Sequence, residues 1–260
     1  MRILVTNDDG IYAPGLAALA EAAAKVGEVH VVAPVVEQSG VAHTISLQHP
    51  LRVVEIDRGS KLFGRAVSGA PADCVRLAVR ELLHERPNLV LSGVNLGANV
   101  GCDVLYSGTV AAAIEGALLG IPSVAVSIEH GRRPDFALAA HIGLVIARHL
   151  LALAREVSGL PLLLNVNVPC LPRSRIRGVQ ITRQSRHGGE EGFVKRKDPR
   201  GRFYYWFSEG RAPHSLVEGT DIAALRRGYV SVTPLNYDLT EERLMSILST
   251  QEWSLSEISK

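Results

Sequence analysis

Ile3-Leu4-Val5-Thr6-Asn7-Asp8-Asp9-Gly10 is the stretch whose reading decides the fold. A short apolar run that ends in adjacent carboxylates and a glycine reads as a buried strand opening into a tight polar loop. Ala13-Pro14-Gly15 then leads into an alanine-rich pattern with Leu16, Leu19, Ala20, Ala23 and Val26 at helical spacing, and Gly27 reads as its stop. Val29-His30-Val31-Val32-Ala33-Pro34 is a second buried strand, with His30 a packed strand residue. Strand, helix and strand within about thirty residues form a right-handed βαβ unit. In such sheets ligands gather where strands exit at their carboxyl ends, which is where Asp8 and Asp9 fall. Neighbouring carboxylates repel unless a proton or cation neutralises them, and hard divalent cations prefer oxygen ligands. The competing reading is an Asn-Asp-Asp-Gly turn with solvated side chains.

Working outward, the loop after the second strand carries Glu37-Gln38-Ser39-Gly40, where the Ser39 hydroxyl could meet a metal or a phosphate. Residues 44–68 alternate in three short pieces, Ile45–Leu47, Val53–Ile56 and Leu62–Phe63, expected as an edge meander. Ser68-Gly69-Ala70-Pro71 starts a helix with Val75, Val79 and Leu82 inward. Leu89–Gly93 is the next buried strand and opens into the Gly- and Asn-rich loop Gly93-Val94-Asn95-Leu96-Gly97-Ala98-Asn99-Val100-Gly101. Tyr106-Ser107-Gly108-Thr109 then caps a small-residue helix, and a helix start with free N–H groups is a ready anion site. Ile121–Ser127 is a further strand. A helix over about 135–156 is expected to turn Leu138, Ile142, Val145 and Leu153 inward, with His141 and His149 at the surface or satisfied in the core. Leu162–Pro169 closes the regular sheet.

Beyond residue 170 the composition changes. Ile176–Thr182 alternates like a strand, residues 183–200 are highly charged, and Phe203-Tyr204-Tyr205-Trp206-Phe207 gathers five of the thirteen aromatic residues. A strand so apolar is expected to be covered, by another subunit or by its own domain. A strand at Tyr229–Leu235 and a short helix capped by Thr240 complete the chain.

The bulk numbers set bounds. At 260 residues and 47% hydrophobic, the chain suits one large α/β domain, or one domain with an appendage. A net charge of +2 gives no support for capture of nucleic acid or membrane, and the basic cluster of Arg183, Arg186, Lys195, Arg196 and Lys197 reads as a solvated arm. Three cysteines without close pairing argue against a disulfide scaffold or zinc knuckle. With no signal-peptide layout and no long apolar run in view, the expected location is cytoplasmic.

If the strands are parallel, Asp8, Asp9, Ser39 and Asn95 emerge at one sheet edge beside the Ser107-Gly108-Thr109 helix start. Two carboxylates, a hydroxyl and an amide oxygen suit Mg²⁺ or Mn²⁺ better than Zn²⁺. Such a set beside a phosphate cradle, without a GxxxxGK[ST] loop, points to phosphate-ester chemistry.

The opening Ile3–Gly10 with Ala13-Pro14-Gly15 resembles the SurE family of survival-protein nucleotidases. So do Ala33-Pro34 with Gln38-Ser39-Gly40, Ser92–Asn99, Tyr106–Ala113 and Ser231–Leu235. The resemblance runs over nearly the whole chain. It implies a three-layer α/β/α Rossmann-like sandwich with a mostly parallel sheet, built as a core over 1–170. Residues 171–260 would form a β-rich extension of the same domain, used in a dimer or tetramer. It also implies a phosphatase that hydrolyses nucleoside 5′- and 3′-monophosphates, in some members short polyphosphate, with one divalent metal per subunit held by Asp8, Asp9, Ser39 and Asn95. In that reading Asp8 and Asp9 are catalytic. Asn95, Ser107, Gly108 and Thr109 hold the phosphate, and the attacking oxygen belongs to water or to Asp8. Two readings compete. One is a nucleotide- or sugar-phosphate-binding module without turnover, its cation structural; the other is a glycosyltransferase-like enzyme, for which the chain is short.

Overall fold

In a computed structural model, residues 1–186, 192–208, 216–251 and 253 are described. Parts of the charged run (187–191) and residues 209–215, including His214, lie outside them. The chain builds β1 (Arg2–Thr6), α1 (Pro14–Ala23), β2 (Glu28–Pro34), β3 (Val53–Arg58), β4 (Lys61–Val67), α2 (Pro71–Leu77), β5 (Leu89–Leu96), α3 (Gly108–Leu118), β6 (Ser123–Ile128), α4 (Phe136–Leu153) and β7 (Leu163–Val168). It continues with β8 (Val179–Ile181), β9 (Gly192–Lys197), β10 (Phe203–Ser208), α5 (Asp221–Arg226), β11 (Val230–Pro234) and α6 (Glu242–Leu248).

Nine strands form one sheet in the order β3-β4-β2-β1-β5-β6-β7-β11-β8. From β4 to β7 every neighbouring pair is parallel, while β3 and β11 run antiparallel to β4 and β7. The period-two pleat divides β1 between two layers. Ile3 and Val5 pack in the core that α1 and α4 cover, and Leu4 packs in the core beneath α2. Helices α2 and α3 cover that second face together. The result is the expected α/β/α sandwich. β1 lies between β2 on one side and β5 on the other, so the sheet order reverses at its exit, the topological switch point.

Several expectations need correction. Ile45–Leu47 is not a strand; the edge is the β3–β4 hairpin alone, and residues 35–52 cross the surface without regular structure. Helix α1 ends at Ala23 with Ala24 as its cap, three residues before Gly27. In α4 the buried face is Ala139, Ala140, Gly143, Leu144, Ile146, Ala147 and Leu150, while Val145 and Leu153 are 40% and 50% exposed. Small residues allow that face to lie close against β5, β6 and α1, which outweighs the larger side chains' preference for burial. Helix α4 is also long and apolar enough by length and composition to cross a membrane, contrary to the sequence reading; here it is a core helix of the sandwich. The cap of α6 is Glu241 rather than Thr240.

β8 and β11 join the main sheet, whereas β9 and β10 form a separate antiparallel hairpin. The five aromatic residues of β10 stand 39–62% exposed, and Phe193 on β9 is 71% exposed. Lys195 lies 3.9 Å from the Phe203 ring centroid. Helix α6 is also exposed along its length, with Leu244, Met245 and Ile247 each just over half exposed.

Candidate functional site

The loops after β1 and β2 and the last residues of β5 meet at the sheet's carboxyl edge; β5 runs on to Leu96, so Asn95 stands in the strand and not in the loop expected after Gly93. The first is not a solvated turn: Asn7 is fully buried with its amide donating to the Gly10 carbonyl at 3.0 Å, and Asp8 is 6% exposed. The second loop is fastened to the first, since the Gln38 N–H donates to the Asp8 carbonyl at 2.8 Å and the Ile11 N–H to the Pro34 carbonyl at 2.9 Å. The end of β5 reaches Asp9, whose carboxylate accepts from the backbone N–H of Leu96. Asn95 turns its amide nitrogen onto the Gly97 carbonyl at 2.7 Å, which leaves its side-chain oxygen without a donor from that turn. Ser39 is exposed and donates to Glu37 at 2.5 Å. The Glu37 charge in turn acts on both aspartates.

The start of α3 lies directly on Asp8. A Cβ at Gly108 would stand 2.8 Å from Asp8 Cβ, 3.1 Å from Asp8 Oδ2 and 3.1 Å from Pro71 Cγ, so only glycine permits the approach. Ser107 is the N-cap and accepts from the Val110 N–H at 3.1 Å. The Thr109 hydroxyl donates to Asp8 Oδ1, and its backbone N–H also favours the Asp8 anion. The first turn of α3 therefore orients a carboxylate of the protein itself. Of the phosphate-binding set read from the sequence, Thr109 is engaged with Asp8.

Burial is the main cause that raises the pKa of Asp8, against the lowering effect of the Thr109 hydrogen bonds. Asp9 is pushed up to about 7 by burial first, then by the Asp8 and Glu37 charges. Among the described residues neither aspartate forms an ion pair with Lys or Arg. Nor does any group of three or more His, Cys, Asp and Glu gather there as a metal site. The donor set is two carboxylates lacking a countercharge, plus a hydroxyl and an amide oxygen. That chemistry fits a hard divalent cation with water completing its shell, and it does not fit zinc.

Other parts of the site escaped the sequence reading. Asn99 is a buried latch: its N–H donates to Asn167 Oδ1 at 2.7 Å, and its carbonyl accepts from Asn165 at 2.8 Å and Asn167 at 3.0 Å. Its own amide donates to Ser127 at 2.9 Å. Asp221, at the start of α5, accepts from the Gly101 N–H at 2.9 Å and the Ser185 N–H at 3.0 Å. These bonds give the glycine-rich loop a fixed course despite its composition. The available signal was Asn165-Val166-Asn167, two amides on one face of an otherwise apolar strand.

A doubly covered parallel sheet, with oxygen-bearing side chains and a helix N-terminus converging at its switch point, defines a Rossmann-like α/β protein. Comparison with known proteins narrows that class. The family model "Survival protein SurE" matches residues 3–191. The curated "5′-nucleotidase SurE" of Syntrophobacter fumaroxidans is 48% identical over 257 residues, covering 98% of this chain and all of that protein. The protein of the same name from Geobacter sulfurreducens is 49% identical, covering 98% and 95%. The crystal structure of the SurE protein from Aquifex aeolicus superposes with a TM-score of 0.82 at 40% identity, over 96% and 98% of the two chains. The chain belongs to the SurE family.

Proposed function

We propose that the protein is a divalent-metal-dependent 5′-nucleotidase that hydrolyses nucleoside monophosphates to nucleoside and phosphate. The observation that carries this reading is the convergence of the buried Asp8 and the half-buried Asp9, neither paired with Lys or Arg among the described residues, with Ser39, Asn95 and the start of α3. The names of its close relatives supply the substrate class. Action on 3′-monophosphates and short polyphosphate belongs to the same proposal, since the same phosphoryl group would be gripped in each.

Asp8, Asp9, the Ser39 hydroxyl and the Asn95 side-chain oxygen would hold one Mg²⁺ or Mn²⁺. When bound, the ion would offset charge on the phosphoryl oxygens in the transition state. The Thr109 hydroxyl and amide fix the Asp8 carboxylate in one orientation, so little reorganisation is left for the reaction itself. The Ser107 hydroxyl keeps a proton to donate while its oxygen caps α3. With the Gly108 N–H it would receive the outer phosphate oxygens. Glu37 adds negative charge beside the pair, raising their demand for a cation.

We also propose that subunits associate through the β9–β10 hairpin and α6, because both present more apolar area than a chain leaves bare. The functional reading is tested by phosphate release from AMP and GMP with Mn²⁺, with and without EDTA. Metal-dependent release is expected. Nucleotide binding without turnover would instead favour a binding module with a structural cation.

A further inference from the structure

The residues between β2 and β3 carry Ser39 but have no regular structure, so their course depends on the separate bonds that anchor them. Among the described residues Ser39 bonds only within its own loop, to Glu37. Besides the bonds at its two ends, from Val35 to Val67 and between Arg52 and Ser68, the loop is hydrogen-bonded to the body at four described points. Two are backbone bonds, Gln38 N–H to Asp8 and Ala42 N–H to the Tyr106 carbonyl at 3.0 Å. A third is Ser46, whose N–H and hydroxyl donate to the buried Asp73 on α2 at 3.0 and 2.7 Å. The fourth is His43 Nε2, 3.0 Å from Oε2 of Glu115 on α3.

Glu115 is 4% exposed, a burial that is costly for a carboxylate unless both oxygens are served. Arg76 on α2 approaches Oε1 at 3.6 Å and His43 serves Oε2. A carboxylate accepts, so in this contact the donor is an N–H at His43 Nε2 in whichever tautomer or charge state supplies it. Glu115 lies seven residues, two helical turns, beyond Gly108 and on the same helix face. One rigid helix thus presents its first turn to Asp8 and, about 10 Å further along, an anchor for the loop that bears Ser39.

We propose that His43, acting through Glu115, is a positioning residue that sets Ser39 relative to Asp8 and so tunes divalent-cation affinity. The inference rests on the metal-site reading above. Chelator-stripped wild-type and variant proteins would be titrated with Mn²⁺ by calorimetry, and AMP hydrolysis measured across Mn²⁺ concentrations. His43→Ala is expected to weaken Mn²⁺ binding roughly tenfold, the loss of one hydrogen bond to a charged group. Its kcat at saturating Mn²⁺ should stay within about twofold of wild type, because the lost alignment is recovered by mass action. His43→Gln, whose amide can donate to Glu115, should restore most of the affinity. Hydrogen exchange over residues 36–46 should quicken in the alanine variant and return towards normal in the glutamine one.

Unchanged Mn²⁺ affinity in His43→Ala would overturn the inference. So would a fall in kcat that added Mn²⁺ does not reverse, or a glutamine variant as weak as the alanine one. Wild-type protein that neither binds Mn²⁺ nor releases phosphate would overturn the functional reading itself. A wild type that does both, beside an unaffected His43→Ala, would overturn this inference alone.

Discussion

Gly108→Ala tests whether the start of α3 sets the catalytic geometry. The added methyl would stand 2.8 Å from Asp8 Cβ, where ordinary contact begins at 3.4 Å. The methyl meets the root of the Asp8 side chain, beside the backbone, so rotation cannot relieve the clash. Asp8 must move, or α3 must back away by about 0.6 Å or more, which also displaces the Thr109 hydroxyl. Overpacking of this kind costs about 1–3 kcal/mol, and alanine's better helix propensity returns up to about 1 kcal/mol. Net destabilisation should therefore be about 0–3 kcal/mol. A misplacement approaching 1 Å in a reacting constellation costs on the order of 100-fold in rate. Mn²⁺-dependent phosphate release should thus fall about 10- to 100-fold, while the melting temperature falls only a few degrees. The control is Gly116→Ala on the same helix, whose methyl would strike Ser123 and, at 2.8 Å, Val90 Cγ2 in the core. It should lower stability and leave kcat/KM near wild type wherever the protein is folded. Full activity in Gly108→Ala, or equal losses in the two variants, would refute the reasoning.

Thr109→Val removes the only side-chain donor to Asp8 described here; stability should drop by about 1–3 kcal/mol by chemical denaturation, with weaker Mn²⁺ binding by calorimetry. Asp9 is an acid whose folded pKa, about 7, lies above its unfolded value of 3.8, so it opposes folding as it ionises. Melting temperatures of the metal-free protein should accordingly decline from this group between about pH 4 and 7, and Mn²⁺ affinity should rise over the upper part of that window as the competing proton leaves. Melting curves and calorimetric titrations at several pH values check both signs. Asn167→Ala deletes both bonds from Asn167 to the Asn99 backbone and should cost about 2–4 kcal/mol, with faster hydrogen exchange in residues 95–101.

The sandwich was legible because apolar runs of strand length alternate with helical spacing, and such units leave few topologies open. The site residues were legible because Asp8-Asp9 and Ser39 follow buried strands and Asn95 stands at the end of one. The face of α4 was not, because alanine and glycine carry little hydrophobic signal and yet fit the tightest contact. The residues that hold the site in shape were also hidden. Glu115 reads as one acid in an alanine helix, and His43 as one polar residue in a loop, until the fold brings them to 3.0 Å. The same holds for Thr109, whose position suggested a phosphate ligand; only coordinates reveal that its hydroxyl faces Asp8. Edge pairing depends on register as well as pattern, which is why Ile45–Leu47 alternates without pairing.

Anomalous diffraction from crystals grown with Mn²⁺ tests the central claim most directly. The account predicts one strong peak per subunit at the carboxyl edge of β1, about 2–2.5 Å from oxygens of Asp8, Asp9 and Asn95. A strong peak elsewhere with this site empty at saturating Mn²⁺, while the same protein hydrolyses AMP, would contradict it.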